Sequence, residues 1–348
     1  MDEPPQTRVV LRCDAHPTFG VGHLIRSLAL AEELQARGVA VSLVGDLGGI
    51  TWVEQLVRDR GIPVLPAQED PAQVAEQVTA LAAVAVVLDG YHLPSETGAA
   101  LRTAGLVVLA MVDAEFGAGQ EADLYVDQNL RATPRADLPP GAAALAGLDY
   151  ALFRDTVLTR RRVEPVPAHD PPRLLAVFGG TDPYAAAATV VPLVLATEVP
   201  VQVTVIAARE EVRTTLAGLS PGAGQSLEVL DPVSDLAALA AESDVAVSAS
   251  GSSVWELLCL GVPTGVVCVV DNQRQGYTAT VGEGVVAPVG VLDELRTDDA
   301  ARAAAVAELR SVLTDGDRRA DLAALGQRLV DGQGRTRVAD ALLARLPR

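Results

Sequence analysis

Short β-branched runs alternate with Ala- and Leu-rich stretches of helical period along nearly the whole chain, and this alternation restricts the fold more than any other feature. Val9–Leu11, Val39–Val44, Pro63–Leu65, Val84–Leu88 and Val107–Val112 read as strands. Leu24–Arg37, Trp52–Arg60, Pro71–Leu81 and Ser95–Ala104 read as the helices between them. Strands that are apolar throughout, each followed by a helix, imply a parallel sheet covered on both faces. Pro- and charge-rich segments at 131–141 and 160–173 interrupt the pattern, and the second reads as a linker. The alternation then resumes. Leu174–Phe178, Val201–Ala207, Leu227–Leu230, Val245–Ser248 and Thr264–Val270 are expected strands, and Asp299–Leu313 and Arg318–Leu346 are expected closing helices. The expectation is α/β: two Rossmann-like doubly wound domains, 1–165 and 166–348, facing a cleft, with the last helix a candidate to pack back on the first domain.

Composition narrows the partners. Hydrophobic residues make up 49% of the 348, enough for two cores, but only 3% are aromatic, so Ala, Val and Leu must build them. A formal net charge of −18 argues against nucleic acid and against anionic membrane surfaces, both of which need a basic face. An anionic small molecule remains compatible, held by backbone N–H groups and helix N-termini. No apolar run reaches the roughly 20 residues of a membrane span. Met1–Thr7 carries no apolar signal core, and the expected location is cytoplasmic. Cys13, Cys259 and Cys268 show no metal-ligand spacing, so neither a metal nor a cofactor is expected.

Four loops at expected carboxyl ends of strands hold the polar residues. In the first, Asp14, Gly20 and Gly22 lead to His23 at a helix N-terminus, where the positive end of the helix dipole favours a neutral imidazole suited to a general base. Capping of its own helix explains His23 equally well on spacing alone. The loop lacks a GxGxxG fingerprint, which argues against NAD. The second loop brings Asp89 and Tyr91 to the same edge. The third, Gly179-Gly180-Thr181-Asp182-Pro183, suits either an anion-binding turn or a helix cap. The fourth, Ser250-Gly251-Ser252-Ser253, offers hydroxyls and backbone N–H groups to a diphosphate. Glu256 follows one turn later, placed either for ribose hydroxyls or for a capping box with Ser253. Asn272 and Gln273 end the next strand. His16, His92 and His169 read as solvated, with His16 and His92 second-rank candidates. Arg160–Arg162 reads as a solvated charge run.

Jointly, five blocks resemble one family: Arg12–Leu30 (RCDAHPTFGVGHLIRSLAL), Asp89–Leu93 (DGYHL), Ala122–Leu130 with Tyr150–Arg154 (ADLYVDQNL and YALFR), Gly179–Pro183 (GGTDP) and Ser248–Gln273 (SASGSSVWELLCLGVPTGVVCVVDNQ). The likeness is to the UDP-sugar hydrolases of pseudaminic-acid biosynthesis and the related SpsG-like spore-coat polysaccharide proteins, and it spans about residues 8–290. It implies a metal-independent GT-B fold with the nucleotide mainly on the second domain. It also implies that His23 activates water, that Tyr91 and Asn272 line the sugar pocket, that Ser252 and Ser253 hold the diphosphate, and that Glu256 holds the ribose. Three positions depart from the family pattern. Val112-Asp113-Ala114 stands where a paired Asp is frequent, DGYHLP lacks the acid after its Tyr-x-Leu, and Ser250 replaces a glycine.

The activity expected from this resemblance is inverting hydrolysis of a nucleotide-activated, UDP-type sugar. The alternatives are transfer of the sugar to a small-molecule or glycan acceptor, and nucleotide-sugar binding without turnover.

Overall fold

The computed structural model describes residues 7–16, 20–113, 117–134, 136–164 and 169–347. Met1–Gln6, Pro17–Phe19 of the first loop, Ala114, and Pro165 and Pro167 of the expected linker lie outside them. The chain divides into two compact units. Unit 1 runs through Asp155 and resumes at Gly332; unit 2 is Thr156–Asp331. The sequence-level boundary was placed at 165/166.

Unit 1 holds a seven-stranded sheet. Its strands are β1 (Arg8–Cys13), β2 (Ala40–Val44), β3 (Val64–Leu65), β4 (Ala85–Asp89), β5 (Val107–Met111), β6 (Leu124–Asp127) and β7 (Ala143–Ala146). The order is β3-β2-β1-β4-β5-β6-β7, and every pair is parallel. Side-chain alternation along β1 explains the two covered faces. Val9, Leu11 and Cys13 pack with Leu24, Leu28 and Ala31 of the helix Gly22–Ala36, while Val10 packs on the other face with Val74, Val78 and Leu101. Build-up reverses between β1 and β4, where Cys13 pairs with Asp89, and such a switch point opens a crevice at the carboxyl edge.

Unit 2 repeats the design with six parallel strands: β8 (Arg173–Val177), β9 (Val201–Ile206), β10 (Gln225–Leu230), β11 (Val245–Ala249), β12 (Thr264–Cys268) and β13 (Ala287–Val291). They are ordered β10-β9-β8-β11-β12-β13, with the switch between β8 and β11. Val245, Val247 and Ala249 of β11 join Val190, Val194 and Leu309 in the core.

Two sequence expectations need correction. The sheets are wider than expected, because β6, β7 and β13 were not anticipated. The helix expected over Arg318–Leu346 is two, Gly316–Leu329 and Gly334–Leu343. Gly332 takes φ +80° between them, a conformation strained for other residues. Beyond it, Val338, Ala339 and Leu342 enter the core of unit 1. Among the described residues no helix is long and apolar enough to cross a membrane.

Candidate active site

Unit 1 gathers a buried polar cluster at the switch point. Asp89, the last residue of β4, is 0% exposed. Its Oδ1 lies 2.7 Å from Nδ1 of His23, the second residue of the helix Gly22–Ala36. Arg26, one turn on, donates from Nε to Oδ2 at 2.6 Å and from Nη2 to Oδ1 at 2.5 Å. Ser27 Oγ donates to Oδ2 at 3.3 Å. Burial alone would raise the carboxyl's pKa; the Arg26 charge and hydrogen bonds, with His23, outweigh it and hold it at about 2. Asp89 is therefore an anion that only accepts. Of the two neutral tautomers, the one with its proton on Nδ1 donates to that anion and leaves the Nε2 lone pair free, whereas an unprotonated Nδ1 would set its lone pair against the carboxylate.

The sequence placed Asp89 against the substrate. The side chain is completely buried, and both its oxygens accept hydrogen bonds from His23, Arg26 and Ser27.

Tyr91 follows β4 and stands edge-on to the His23 ring, centroids 4.4 Å apart with an interplanar angle of 88°. Its hydroxyl donates to Asp113 beyond β5. Asn129 Nδ2, beyond β6, lies 3.0 Å from both Asp113 Oδ1 and Asp127 Oδ1. Burial raises the Tyr91 phenol, and the Asp113 charge raises it further. Burial likewise raises Asp127. Asp14, after β1, accepts from Arg12 Nη1, His92 Nε2 and the Asp46 N–H, each at 2.6 Å. Against its burial, the Arg12 and Asp46 hydrogen bonds lower its pKa. Gly20 (φ +95°), two residues before Gly22, exchanges two backbone hydrogen bonds with His16.

Unit 2 presents a different edge, built from small residues. Gly179, Gly180 and Thr181 leave β8, and the buried Thr181 hydroxyl finds no hydrogen-bond partner among the described residues. Asp182 is 2% exposed and accepts from Ala186 N at 2.8 Å and Ala187 N at 3.0 Å. Each of its oxygens thus accepts from the first turn of the helix Ala186–Leu195, the helix-cap alternative for this loop. Ser248, inside β11, also holds a buried hydroxyl without a partner among the described residues.

Ser250 and Gly251 then lead to the helix Ser253–Leu260. Ser252 precedes that helix and makes no side-chain cap; the Val254 and Trp255 N–H groups donate to the Gly251 and Ser252 carbonyls at 3.1 Å each, so what the loop meets is the positive end of the helix dipole. Helix entry at Ser252 makes Ser253 the first helical residue. The capping-box spacing with Glu256 is therefore not met, and Glu256 lies half-buried in the first turn. Gln273 accepts from the Val269 N–H at 3.0 Å and turns its amide nitrogen toward Gly251, while Asn272 is exposed in the short turn Asp271–Gln273.

His23, Tyr91, Asp89 and Asp14 thus meet at one edge of unit 1. Gly180–Asp182, Ser250–Ser253, Glu256 and Asn272–Gln273 line the corresponding edge of unit 2. Sequence reasoning missed Arg26 and Asn129, and it marked Asp113 only as a departure from the family pattern. The i,i+3 spacing from His23 was the available signal for Arg26; Asn129 follows a strand that was not read.

No protein-family model matches the chain. Among curated proteins it is similar to the spore coat polysaccharide biosynthesis protein SpsG of Bacillus subtilis (strain 168), 29% identical over 115 residues. The match spans 33% of this chain and 32% of that protein. Among solved structures, Acinetobacter baumannii MurG superposes with TM-score 0.68 at 18% identity, covering 97% of this chain and 99% of that one. The UDP co-structure of Staphylococcus aureus MnaA gives 0.65 at 11%, covering 98% and 99%. The glycotransferase of kitacinnamycin gives 0.63 at 18%, covering 99% and 100%. These likenesses bear out the resemblance to SpsG-like proteins and the GT-B fold of two Rossmann-like domains.

Proposed function

We propose that the chain is a GT-B-type enzyme that moves a sugar from a nucleotide donor to an acceptor. In this reading unit 2 binds the nucleoside diphosphate and unit 1 carries the base. The observation that carries it is the buried Asp89 carboxylate against Nδ1 of His23, which aims Nε2 as a proton acceptor and has no role as a mere helix cap. His23 takes the proton of the acceptor nucleophile as that atom attacks the anomeric carbon. The bond to the diphosphate breaks, and the electron pair leaves with the phosphate oxygen. The positive N-terminal end of the helix Ser253–Leu260 receives the developing charge. Direct displacement inverts the anomeric centre.

Transfer is favoured over hydrolysis, which led at the level of sequence. The similar structures include a glycotransferase, and the curated relative is named for polysaccharide biosynthesis. The same donor site would serve water, so the acceptor alone separates the two reactions. A non-catalytic binder gives no reason for a carboxylate held on the imidazole.

The test is incubation of the purified chain with UDP-, GDP- and dTDP-sugars, with and without a panel of sugar and amine acceptors, following free nucleoside diphosphate. Release that depends on an acceptor and falls ~10²-fold or more in His23→Ala supports the reading. His23-dependent release without acceptor replaces it with hydrolysis. Nucleotide binding with no release under any condition overturns catalysis.

A further inference from the structure

We propose that Arg26 is a positioning residue that keeps His23 a base. It supplies Asp89 with a permanent counter-charge, so the imidazole stays singly protonated on Nδ1 with Nε2 as its acceptor. The inference rests on the reading of His23 as the base.

Asp89 has no exposure to water, so its charge must be answered by a protein cation. Two candidates reach it, the Arg26 guanidinium and a protonated His23. Were His23 the sole partner, the pair would settle as imidazolium and carboxylate, and the base would already hold the proton it must take. Arg26 prevents this. Its Nε and Nη2 meet the two carboxylate oxygens at 2.6 and 2.5 Å in a fork, and a guanidinium does not give up its proton. The i,i+3 spacing on one helix brings both side chains to the same carboxylate.

Arg26 Nη2 also lies 3.2 Å from His23 Nδ1. A positive charge on the ring would therefore meet a second cation at close range. Asp89 and Arg26 sum to zero, so a proton accepted by His23 leaves the cluster with one positive charge. That favours release of the proton after turnover.

The surrounding groups do not take over the role. Asp113, beyond β5, is engaged by Tyr91 and Asn129. Asp127, at the end of β6, faces Asn129. Cys13, at the end of β1, stays a neutral thiol, its ionisation opposed by burial and by the Asp89 charge. Asp14 is matched by Arg12. The 3.2 Å approach also defines the competing arrangement, in which Nη2 donates to Nδ1 and the ring proton sits on Nε2, leaving no base.

Long-range ¹⁵N–¹H correlation spectra of the full chain read the ring nitrogens directly, with His23→Gln identifying the signal among the four histidines. Near neutral pH, His23 is expected to show a proton on Nδ1 alone. Arg26→Met should show both nitrogens protonated at the same pH. Arg26→Lys should restore the single proton in part. Should Arg26→Met fail to fold, the double variant Arg26→Met with Asp89→Asn removes both charges. Its ring should again carry one proton.

In turnover, Arg26→Met should lose at least ~10-fold at neutral pH and recover as pH rises. A His23 spectrum identical in the parent and Arg26→Met overturns the proposal, as does a proton on Nε2 in the parent. The expected spectra without nucleotide-sugar turnover leave it standing and refute the functional reading instead.

Discussion

The ring of Tyr91 meets the imidazole of His23 edge to face, centroids 4.4 Å apart, while its hydroxyl reaches the other way to Asp113. The ring and the hydroxyl thus have separable roles. Burial, with the Asp113 charge, keeps the phenol protonated above its ordinary value of 10.0, so Tyr91 supplies no phenolate base. Tyr91→Phe retains the ring contact and should leave the alkaline side of the activity profile unmoved. Tyr91→Ala removes the wall beside His23 and should lower kcat by ~10-fold or more. An alkaline limb that vanishes in Tyr91→Phe would assign proton transfer to the phenol.

Asp89 ties acid stability to the same cluster. Arg26 and His23 overcome its burial and hold its pKa at about 2 against an ordinary 3.8. A carboxyl depressed on folding stabilises the protein fully above its unfolded pKa, and the contribution fades as pH falls through the folded one. The contribution is about 2 kcal/mol. Chemical unfolding of the parent and Asp89→Asn should therefore show a stability gap that is constant above about pH 4 and narrows by about 2 kcal/mol toward pH 2. A gap independent of pH would mean that the carboxylate is not anchored by Arg26.

Arg162 makes a stability prediction in unit 2. Its Nη1 donates to the Gly261 carbonyl at 3.0 Å, and its Nη2 donates to those of Ala241 and Ser243 at 3.0 and 2.5 Å. These are exit carbonyls of the helices Leu236–Ala241 and Ser253–Leu260, where a cation is favoured. Arg162→Ala leaves three acceptors short of a partner and should cost ~3 kcal/mol in urea unfolding. A loss below ~0.5 kcal/mol would place Arg162 with ordinary surface ion pairs.

Arg160–Arg162 also shows where the sequence ceases to be legible. Three consecutive arginines in a Pro-rich stretch read as a solvated face, because nothing local announces the helix ends that Arg161 and Arg162 bind. The central strands were legible because burial on both faces makes them apolar throughout. Strands β6, β7 and β13, toward one side of each sheet, were not. Ala143–Ala146 is an Ala run of helical composition, and Ala287–Val291 contains Pro288 and Gly290, tolerated because β13 lies at the sheet edge.

The polar loops were found because they follow apolar strands, but their division of labour was not. Whether Asp89 faces substrate or holds His23 depends on burial, and burial depends on the packing of the helix Gly22–Ala36 over β4. The break at Gly332 was hidden for a similar reason. Gly334 is required because a Cβ there would lie 2.1 Å from the Ala151 carbonyl, a contact 183 residues away in sequence.

Gly251 offers a test of nucleotide binding that stability does not confound. It has no positive φ, and a Cβ built there would meet only the Gln273 amide nitrogen, at an ordinary 3.7 Å. Gly251→Ala should therefore fold with an unchanged melting temperature. Its methyl would occupy the space just before the helix Ser253–Leu260, where a diphosphate must come close to reach the positive end of the helix. Calorimetric titration with UDP should show a Kd raised ~10-fold or more, since loss of one good charge-assisted hydrogen bond amounts to ~1.4 kcal/mol or more. If UDP binds the variant as it binds the parent, the Ser250–Ser253 loop does not hold the diphosphate. The buried Thr181 hydroxyl beside β8 would then be the next candidate to substitute.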